Sequence, residues 1–189
     1  MAEQQSLFGD LPPPREKRDR LFFALFPDAR TAELIVRCAR DLRATHGMSA
    51  PVQDAGRMHI TLQHVNDYDG LPPQVVKSAI NAAETLAMAP FDVTFDRVES
   101  FRGSPRPLVL RGDDNPALKT FQQALGAAMA KALLPPDKSF TPHVTLLRDV
   151  VEIPSQPVAP ITWTVREFVL IHSLIGQTRH IPLGRWALH

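Results

Sequence analysis

The chain has 189 residues, of which 44% are hydrophobic and 22% are charged, the ordinary make-up of a soluble globular protein of one domain or two small lobes. With 21 Lys and Arg against 20 Asp and Glu, its net charge is +1, so no global field would draw it onto nucleic acid, and any contact with a polyanion must be local. Its one cysteine, Cys38, excludes an internal disulfide, a Cys-based zinc site and an iron–sulfur cluster held by this chain alone.

The first 19 residues predict a flexible N-terminal tail, because Pro12–Pro14 and the charged string after them can bury little apolar surface. Residues 20–189 are expected to form a single domain. No apolar run reaches the roughly 18 to 20 residues that a membrane-spanning helix needs, and the polar opening MAEQQSLFGD contains no signal-peptide stretch. We therefore expect a cytoplasmic protein with no membrane partner.

The hydrophobic pattern then predicts an irregular succession of strands and helices. In chain order it indicates a strand over 21–26, a helix from Asp28 to Gly47, a strand over 57–65, a helix over 73–89, two hairpin strands over 91–101 and 106–111, a helix over 115–134, a strand over 140–148, a proline-rich connection over 154–160 and two closing strands over 162–174 and 179–188. This order predicts an α+β fold, because it lacks the regular alternation of a doubly wound parallel sheet.

The most informative feature is a tetrapeptide that occurs twice, in two predicted strands. The copies are His59-Ile60-Thr61-Leu62 and His143-Val144-Thr145-Leu146. Because side chains alternate along a strand, each copy turns its His and Thr to one face and its two apolar residues to the other. The pattern therefore predicts a functional site that contains both His-Thr pairs. Two half-buried strands with outward polar residues and no functional role would have the same pattern.

The residue types in the repeat favour phosphate chemistry by proton transfer. Two histidines without carboxylates would leave zinc or magnesium short of ligands, so we expect no metal and no cofactor. No Gly-x-Ser-x-Gly nucleophile motif is present. One neutral and one cationic imidazole can take and give a proton, as cleavage of a phosphate ester requires. Thr61 and Thr145 can donate hydrogen bonds to phosphate oxygens, and Arg148 can add positive charge.

At these residues the chain resembles the two-histidine phosphoesterase superfamily, and within it the bacterial and archaeal RNA 2',3'-cyclic phosphodiesterases, also called 2'-5' RNA ligases. The resemblance covers residues 20–189. Besides the repeat, it rests on the strings RLFFALFP at 20–27, FTPHVTLLR at 140–148 and FVLIHS at 168–173, with Arg185-Trp186 near the end.

The resemblance implies two pseudo-twofold-related lobes, each with an antiparallel sheet and helices outside, and an active-site cleft between the lobes. It implies metal-independent hydrolysis of RNA or nucleoside 2',3'-cyclic phosphate ends to a 2'-phosphate, with weak reverse 2'-5' ligation. In matching positions, His143 would activate water, His59 would protonate the leaving 3' oxygen, and Thr61 and Thr145 would hold the phosphate.

Some candidate residues fit the family pattern less simply. Arg148 matches the family's arginine after the second motif, but strict alternation puts it on the face opposite Thr145, so a strand end or bulge must re-aim it. Relatives usually follow the first motif with an aromatic residue and often a glycine, whereas this chain has Gln63, His64 and Val65. His64 is expected either to line the base or ribose side of the cleft or to be a surface or packing histidine at a strand end.

His180 stands where relatives often carry an aromatic residue. The residue that stacks on the terminal base is therefore left open, and Phe22 and Phe23 are equally well explained as core residues.

Five arginines near the predicted strands could follow an RNA backbone or could be ordinary surface residues among acidic neighbours: Arg57, Arg97, Arg102, Arg106 and Arg111. Two other functions remain open. The chain could open another small cyclic phosphate, or it could be a non-catalytic module that binds RNA ends. Since no coiled coil or long apolar stripe is evident, we expect a monomer.

Overall fold

A computed structural model describes residues 18–189 of the chain, and within them the backbone forms eight strands, three α-helices and one short 3₁₀-helix. The elements are β1 (Asp19–Leu25), α1 (Ala29–Thr45), the 3₁₀-helix (Ala55–Arg57), β2 (Ile60–Tyr68), α2 (Pro73–Glu84), β3 (Phe91–Ser100), β4 (Arg106–Arg111), α3 (Pro116–Lys131), β5 (His143–Asp149), β6 (Gln156–Val165), β7 (Glu167–Leu174) and β8 (Arg179–Ala187). The predicted α+β class is confirmed. Residues 1–17 of the predicted tail lie outside the described residues, and its last residue, Asp19, begins β1.

The ends of α1 follow the capping signals of the sequence. The Asp28 carboxylate accepts a hydrogen bond from the Thr31 backbone N–H at 2.9 Å, which satisfies one of the free donors of the first turn. After the last turn, Gly47 has a φ of +62°, a left-handed conformation that glycine adopts without a steric cost. The helix is therefore bounded by its own sequence.

The proline-rich connection predicted over 154–160 is wrong for most of its length. Residues 156–160 belong to β6, which pairs only with β3 and lies at one edge of the sheet. An edge strand tolerates Pro157 and Pro160 because one side of its backbone needs no hydrogen bonds from a neighbour. The predicted strand over 162–174 is accordingly two strands, separated at Arg166.

All eight strands form one antiparallel sheet in the order β6-β3-β4-β5-β2-β1-β7-β8. This differs from the implied separate sheet for each lobe. Four strands lie on either side of the junction between β2 and β5, where the pairing consists of Ile60 with Val144 alone. The two halves of the sheet are thus continuous, but only through this short junction.

Each half of the sheet contains the same local unit next to the junction. In one half β1, α1 and β2 follow one another and the two strands pair antiparallel; in the other half β4, α3 and β5 do the same. His59 directly precedes β2 and His143 begins β5. The repeated tetrapeptide therefore occupies the same place in both units.

The helices hold the two halves together from one face of the sheet. α1 contacts β5 and β6 of the opposite half, and α3 contacts β2. One buried cluster includes residues from both halves, among them Phe23, Phe95, Phe121 and Phe168, each of which is less than 2% exposed. Burial of one such side chain stabilises a fold by roughly 1.5–3 kcal/mol, so the short strand junction is reinforced by a shared core.

The other face of the sheet carries a small second cluster made of Phe22, Ala24, Val169 and Ile171, with Phe26 packed against it. Within the described residues, no helix contributes to this cluster. The side chains that β1 and β7 contribute to this cluster are themselves buried, whereas Thr61 and His64 of β2 are partly exposed. No helix among residues 18–189 has the length and apolar character needed to span a membrane.

Candidate active site

A cavity of about 680 Å³ opens on the helix-free face and contains the polar residues of both tetrapeptides, His59, Thr61, His143 and Thr145. Their apolar neighbours Ile60, Leu62, Val144 and Leu146 are all buried in the main core. The face assignment predicted from alternation is therefore correct for these two segments. Arg148 and His64 also line the cavity.

The antiparallel pairing of Ile60 with Val144 brings the two tetrapeptides together. In an antiparallel ladder, moving one residue forward on one strand moves one residue back on the other. The register on either side of this pair consequently sets His59 beside Thr145, and Thr61 beside His143. Each histidine is presented with the threonine of the other copy.

Both histidines are held in one orientation by backbone carbonyls two residues earlier. His59 Nδ1 lies 2.6 Å from the Arg57 oxygen, and His143 Nδ1 lies 2.7 Å from the Thr141 oxygen. A carbonyl oxygen can only accept, so Nδ1 donates in each pair and the neutral ring carries its proton there. Within residues 18–189 neither Nε2 atom has a hydrogen-bond partner, so each can exchange a proton with a ligand.

The surroundings of the two imidazoles favour their neutral forms. Burial lowers the pKa of His59 to about 4, against the opposing effect of its hydrogen bond to the Arg57 carbonyl; the positive charges of His180 and Arg57 act in the same direction as burial. Burial also lowers the pKa of His143, and the charges of Arg148 and Arg111 add to this effect. In the free protein, both rings are therefore poor cations and available proton acceptors.

The threonine hydroxyls are available for a ligand. Neither Thr61 Oγ1 nor Thr145 Oγ1 has a hydrogen-bond partner among residues 18–189. The backbone oxygen of Thr145 accepts a 2.8 Å hydrogen bond from Gln53 Nε2, which attaches the loop after α1 to the cavity wall. Gln53 is a site-forming residue that sequence reasoning missed, since no local motif surrounds it.

A bulge in β2 decides which residues after the first motif reach the cavity. Thr61 pairs with Ala24 and His64 pairs with Phe22, so three steps along β2 match two steps along β1. The extra residue turns His64 onto the face of Thr61, where it lines the cavity.

Strict alternation would have placed Gln63 on the cavity side with Thr61. The bulge instead turns Gln63 to the opposite face. Gln63 is only 1% exposed, donates to the Gln122 carbonyl of α3 and accepts from the Asp137 backbone N–H at 2.7 Å. It therefore links β2 to the segment around α3 and does not line the cavity that contains the two tetrapeptides.

A second bulge, in β5, re-aims Arg148. Thr145 pairs with Val109, whereas Leu147 pairs with the preceding residue of β4, so Leu146 is the extra residue. Beyond the bulge Arg148 is on the face of Thr145 and lines the cavity. The conflict between strict alternation and the family pattern is thus resolved by the backbone.

The two bulges occupy equivalent places in the two motifs. Each leaves one residue unmatched three positions after the histidine, and each delivers to the cavity the residue five positions after it. That residue is His64 in the first motif and Arg148 in the second. The halves consequently present equivalent positions with different chemistry.

His64 belongs to a charged group at the edge of the cavity. Its Nε2 lies 2.9 Å from the Asp67 carboxylate, which also accepts two hydrogen bonds of 2.7 Å from Arg20. The Arg20 guanidinium holds the pKa of Asp67 well below its usual range. Asp67 therefore remains anionic and fixes both the His64 ring and the guanidinium.

Aromatic rings form the wall behind His59. Phe22 is 4% exposed, with its ring centroid 5.2 Å from that of His59, whereas Phe23 belongs to the main core. His180 lies edge-on to both rings, at 5.6 Å from Phe22 and 5.4 Å from His59. Phe22 and His180 both line the cavity, whereas Phe23 does not.

The five arginines considered for an RNA track do not form one surface around the cavity. Arg57 lines it, whereas Arg111 is paired with Glu99 and Asp113. Arg102 and Arg106 line a separate small cavity. Among residues 18–189, no group of three or more His, Cys, Asp or Glu side chains is arranged to hold a metal ion.

Residues 23–176, which include both His-x-Thr segments, match the sequence model of the 2'-5' RNA ligase superfamily. The chain is 29% identical over 177 residues to the RNA 2',3'-cyclic phosphodiesterase of Escherichia coli strain K12, with 89% of this chain and 96% of that protein covered. Its fold is similar to those of E. coli LigT complexed with 3'-AMP (TM-score 0.71, 26% identity) and with ATP (TM-score 0.69, 27% identity); both comparisons cover 90% of this chain and 98% of that one.

Proposed function

The chain belongs to the 2'-5' RNA ligase superfamily, and we propose that it hydrolyses the 2',3'-cyclic phosphate ends of RNA or of nucleosides to 2'-phosphates without a metal. The observation that carries the proposal is the pair of imidazoles in one cavity, each held through Nδ1 by a backbone carbonyl and each with Nε2 free. This arrangement suits two coupled proton transfers at a phosphate ester.

In the proposed reaction, His143 is the general base and His59 the general acid, as the family resemblance implies. Nε2 of His143 takes a proton from a water molecule whose oxygen attacks phosphorus in line with the ribose 3' oxygen. As the bond from phosphorus to that oxygen breaks, His59 donates its Nε2 proton to the leaving oxygen. The product is a 2'-phosphate with a free 3'-hydroxyl. A ribose 5'-hydroxyl in place of water would give a 2'-5' linkage, so weak ligation belongs to the same proposal.

The negative charge of the substrate is proposed to favour protonation of His59, the acid of the pair. In the free protein the pKa values of both histidines are lowered by burial and by nearby positive groups. A phosphate anion between the rings favours the imidazolium, because an opposite charge at short range stabilises the charged form. Substrate binding is therefore expected to raise the pKa of His59 and to load the acid with its proton.

The phosphate is proposed to lie between Thr61 and Thr145, whose hydroxyls have no partner among the described residues. Each hydroxyl can donate to a non-bridging oxygen, and Arg148 can neutralise the charge that accumulates there in the transition state. We assign His64 to the ribose or base of the terminal nucleotide, beside the apolar wall that contains Phe22.

The proposal extends to architecture. We interpret the two halves of the sheet as two lobes of one domain over residues 20–189, related by a pseudo-twofold axis near the Ile60–Val144 pair, with the cavity as the cleft between them. The repeated strand–helix–strand units and the equivalent bulges support this interpretation. The nucleotide class of substrate is supported by the 3'-AMP and ATP complexes of the E. coli relative.

Turnover by the wild-type chain tests the proposal. Purified protein with a chelator is incubated with an RNA oligonucleotide ending in a 2',3'-cyclic phosphate, a nucleoside 2',3'-cyclic phosphate, and an ADP-ribose cyclic phosphate. Conversion of either of the first two to a 2'-phosphate is expected. Turnover of the third substrate alone would replace RNA by another cyclic phosphate, and binding of RNA without any product would indicate a non-catalytic module.

A further inference from the structure

Arg57 lines the cavity beside the first tetrapeptide, and its side chain has no hydrogen-bond or ion-pair partner in the part of the chain that the structure describes. It ends the 3₁₀-helix, and its carbonyl oxygen holds the His59 ring. Its side chain lines the cavity, and its Nε atom is buried without a hydrogen-bond partner among residues 18–189. No ion pair to this guanidinium is present within that range either.

An unpaired guanidinium that is partly withdrawn from water is unfavourable unless something binds to it. The Nε atoms of Arg97 and Arg111 are likewise buried without a hydrogen bond, but those two guanidiniums lie beside carboxylates. Arg20 is paired with Asp67, and Arg185 forms a 2.5 Å ion pair with Glu167. Arg148, the other unpaired arginine on the cavity, is exposed to solvent. No group among the described residues offsets the free-energy cost of withdrawing the Arg57 guanidinium from water. This points to an anionic ligand that binds there.

Arg57 lies on the His59 side of the cavity and Arg148 on the His143 side. The charge of Arg57 acts on His59 and on His180, whereas that of Arg148 acts on His143. Each catalytic candidate thus has one free arginine near it. The arginine on the His143 side follows the second tetrapeptide on β5, but the one on the His59 side comes from the 3₁₀-helix that precedes the first tetrapeptide.

We infer that Arg57 binds a phosphate group of the substrate on the His59 side of the cavity. This inference rests on the proposed function. A guanidinium presents several N–H donors in a planar fork that matches two phosphate oxygens. The phosphate could be the cyclic one that reacts or the next phosphodiester along the RNA chain, and the two sources are distinguished by substrate length.

A substitution at Arg57 tests the side chain alone, because the backbone carbonyl that holds His59 remains. Any residue at this position supplies the carbonyl that orients His59, so Arg57→Gln leaves that hydrogen bond in place. Because no hydrogen bond or ion pair of the guanidinium within residues 18–189 would be lost, the melting temperature should not decrease. Arg57→Lys keeps the charge without the fork, and Arg37→Gln, at an exposed position on α1 away from the cavity, is the matched control.

The test compares kcat/KM of these variants on a nucleoside 2',3'-cyclic phosphate and on an oligonucleotide with the same end. Loss of a charge-assisted phosphate contact predicts a decrease of about 10- to 100-fold for Arg57→Gln, partial retention for Arg57→Lys and no change for Arg37→Gln. A decrease on both substrates identifies the reacting phosphate. A decrease on the oligonucleotide alone identifies the adjoining phosphodiester.

Equal kcat/KM for Arg57→Gln and wild type on both substrates would overturn the inference. Absence of turnover by the wild-type protein would contradict the proposed function and would leave no rate to compare. Ligand binding is therefore measured as an independent test of the role of Arg57. A dinucleotide with a terminal 2'-phosphate, measured by titration calorimetry, should bind about 10- to 100-fold more weakly to Arg57→Gln. Equal affinity of the two proteins for this probe, or no binding to either, would also overturn it.

Discussion

Ile60 of β2 pairs with Val144 of β5, and this pair alone joins the two four-stranded halves of the sheet. Both residues are fully buried in the shared core. Their antiparallel pairing sets the histidine of each tetrapeptide beside the threonine of the other. One hydrophobic contact is therefore at the centre of both the fold and the candidate site.

The junction predicts an unequal response to two truncations of aliphatic side chains. Ile60→Ala should lower the free energy of unfolding by about 2–5 kcal/mol, because it leaves a cavity where the halves meet. Leu34→Ala, on the solvent side of α1 at 40% exposure, should change it by less than about 0.5 kcal/mol. Urea denaturation measures both values, and equal effects would show that the junction is not a point of concentrated packing.

The environment of the histidines predicts the pH dependence of activity. Because the pKa values of His59 and His143 are both lowered, the maximum of kcat/KM should lie below the ordinary imidazole value of about 6.5. Removal of the Arg57 charge favours the imidazolium of His59, the proposed acid, so Arg57→Gln should keep the acid protonated to higher pH and move the alkaline limb of the profile upward. Arg57→Lys should leave the limb in place. Identical profiles for wild type and Arg57→Gln would contradict this electrostatic account.

The lowered pKa of His59 also predicts the pH dependence of stability. The unfolded chain binds a proton at this residue near pH 6.5, whereas the folded protein binds it only near pH 4. Stability is therefore fully present above pH 6.5 and decreases as the pH falls toward 4. Between these values His59 contributes a slope of up to about 1.4 kcal/mol per pH unit.

Urea denaturation from pH 4.5 to 7 checks this slope. His59→Gln should be less sensitive to acid than wild type, and the remaining slope is expected from His143 and His180, whose pKa values burial also lowers. The same slope in His59→Gln and wild type would mean that the ring is not desolvated in the folded protein.

The β5 bulge predicts a functional role for Arg148. Arg148→Gln should lower kcat/KM for a cyclic phosphate by about 10- to 100-fold, because a charge-assisted contact to phosphate is lost. Arg106→Gln is the control, since Arg106 pairs with Glu152 and lies outside the cavity. Steady-state kinetics decides the matter: equal rates for the two variants would mean that the bulge does not direct Arg148 to the substrate.

The central residues of the candidate site could be predicted from the sequence because they repeat. The alternation of His and Thr with apolar residues predicts which face of the strand each side chain takes. The second copy of the pattern, in a distant part of the sequence, identifies the strand that completes the site. The structure brings both copies into one cavity. The α1 cap was also predictable, since Asp28 acts on a backbone N–H only three residues away.

Features that depend on pairing between distant segments could not be predicted in this way. The bulges that turn Gln63 inward and Arg148 outward arise from the register of β2 against β1 and of β5 against β4. The prolines of β6 indicate a loop until the edge position of that strand is known. Gln53 and His180 likewise reach the cavity only because loops and a distant strand fold against it.

The most direct test of paired histidine catalysis is product analysis for an RNA oligonucleotide that ends in a 2',3'-cyclic phosphate. Wild type should form a 2'-phosphate, and His59→Ala and His143→Ala should each lose at least about 100-fold of that activity while remaining folded. His189→Ala, at an exposed terminal histidine, should retain full activity. Activity within tenfold of wild type in either cavity variant, or a 3'-phosphate product, would contradict the account.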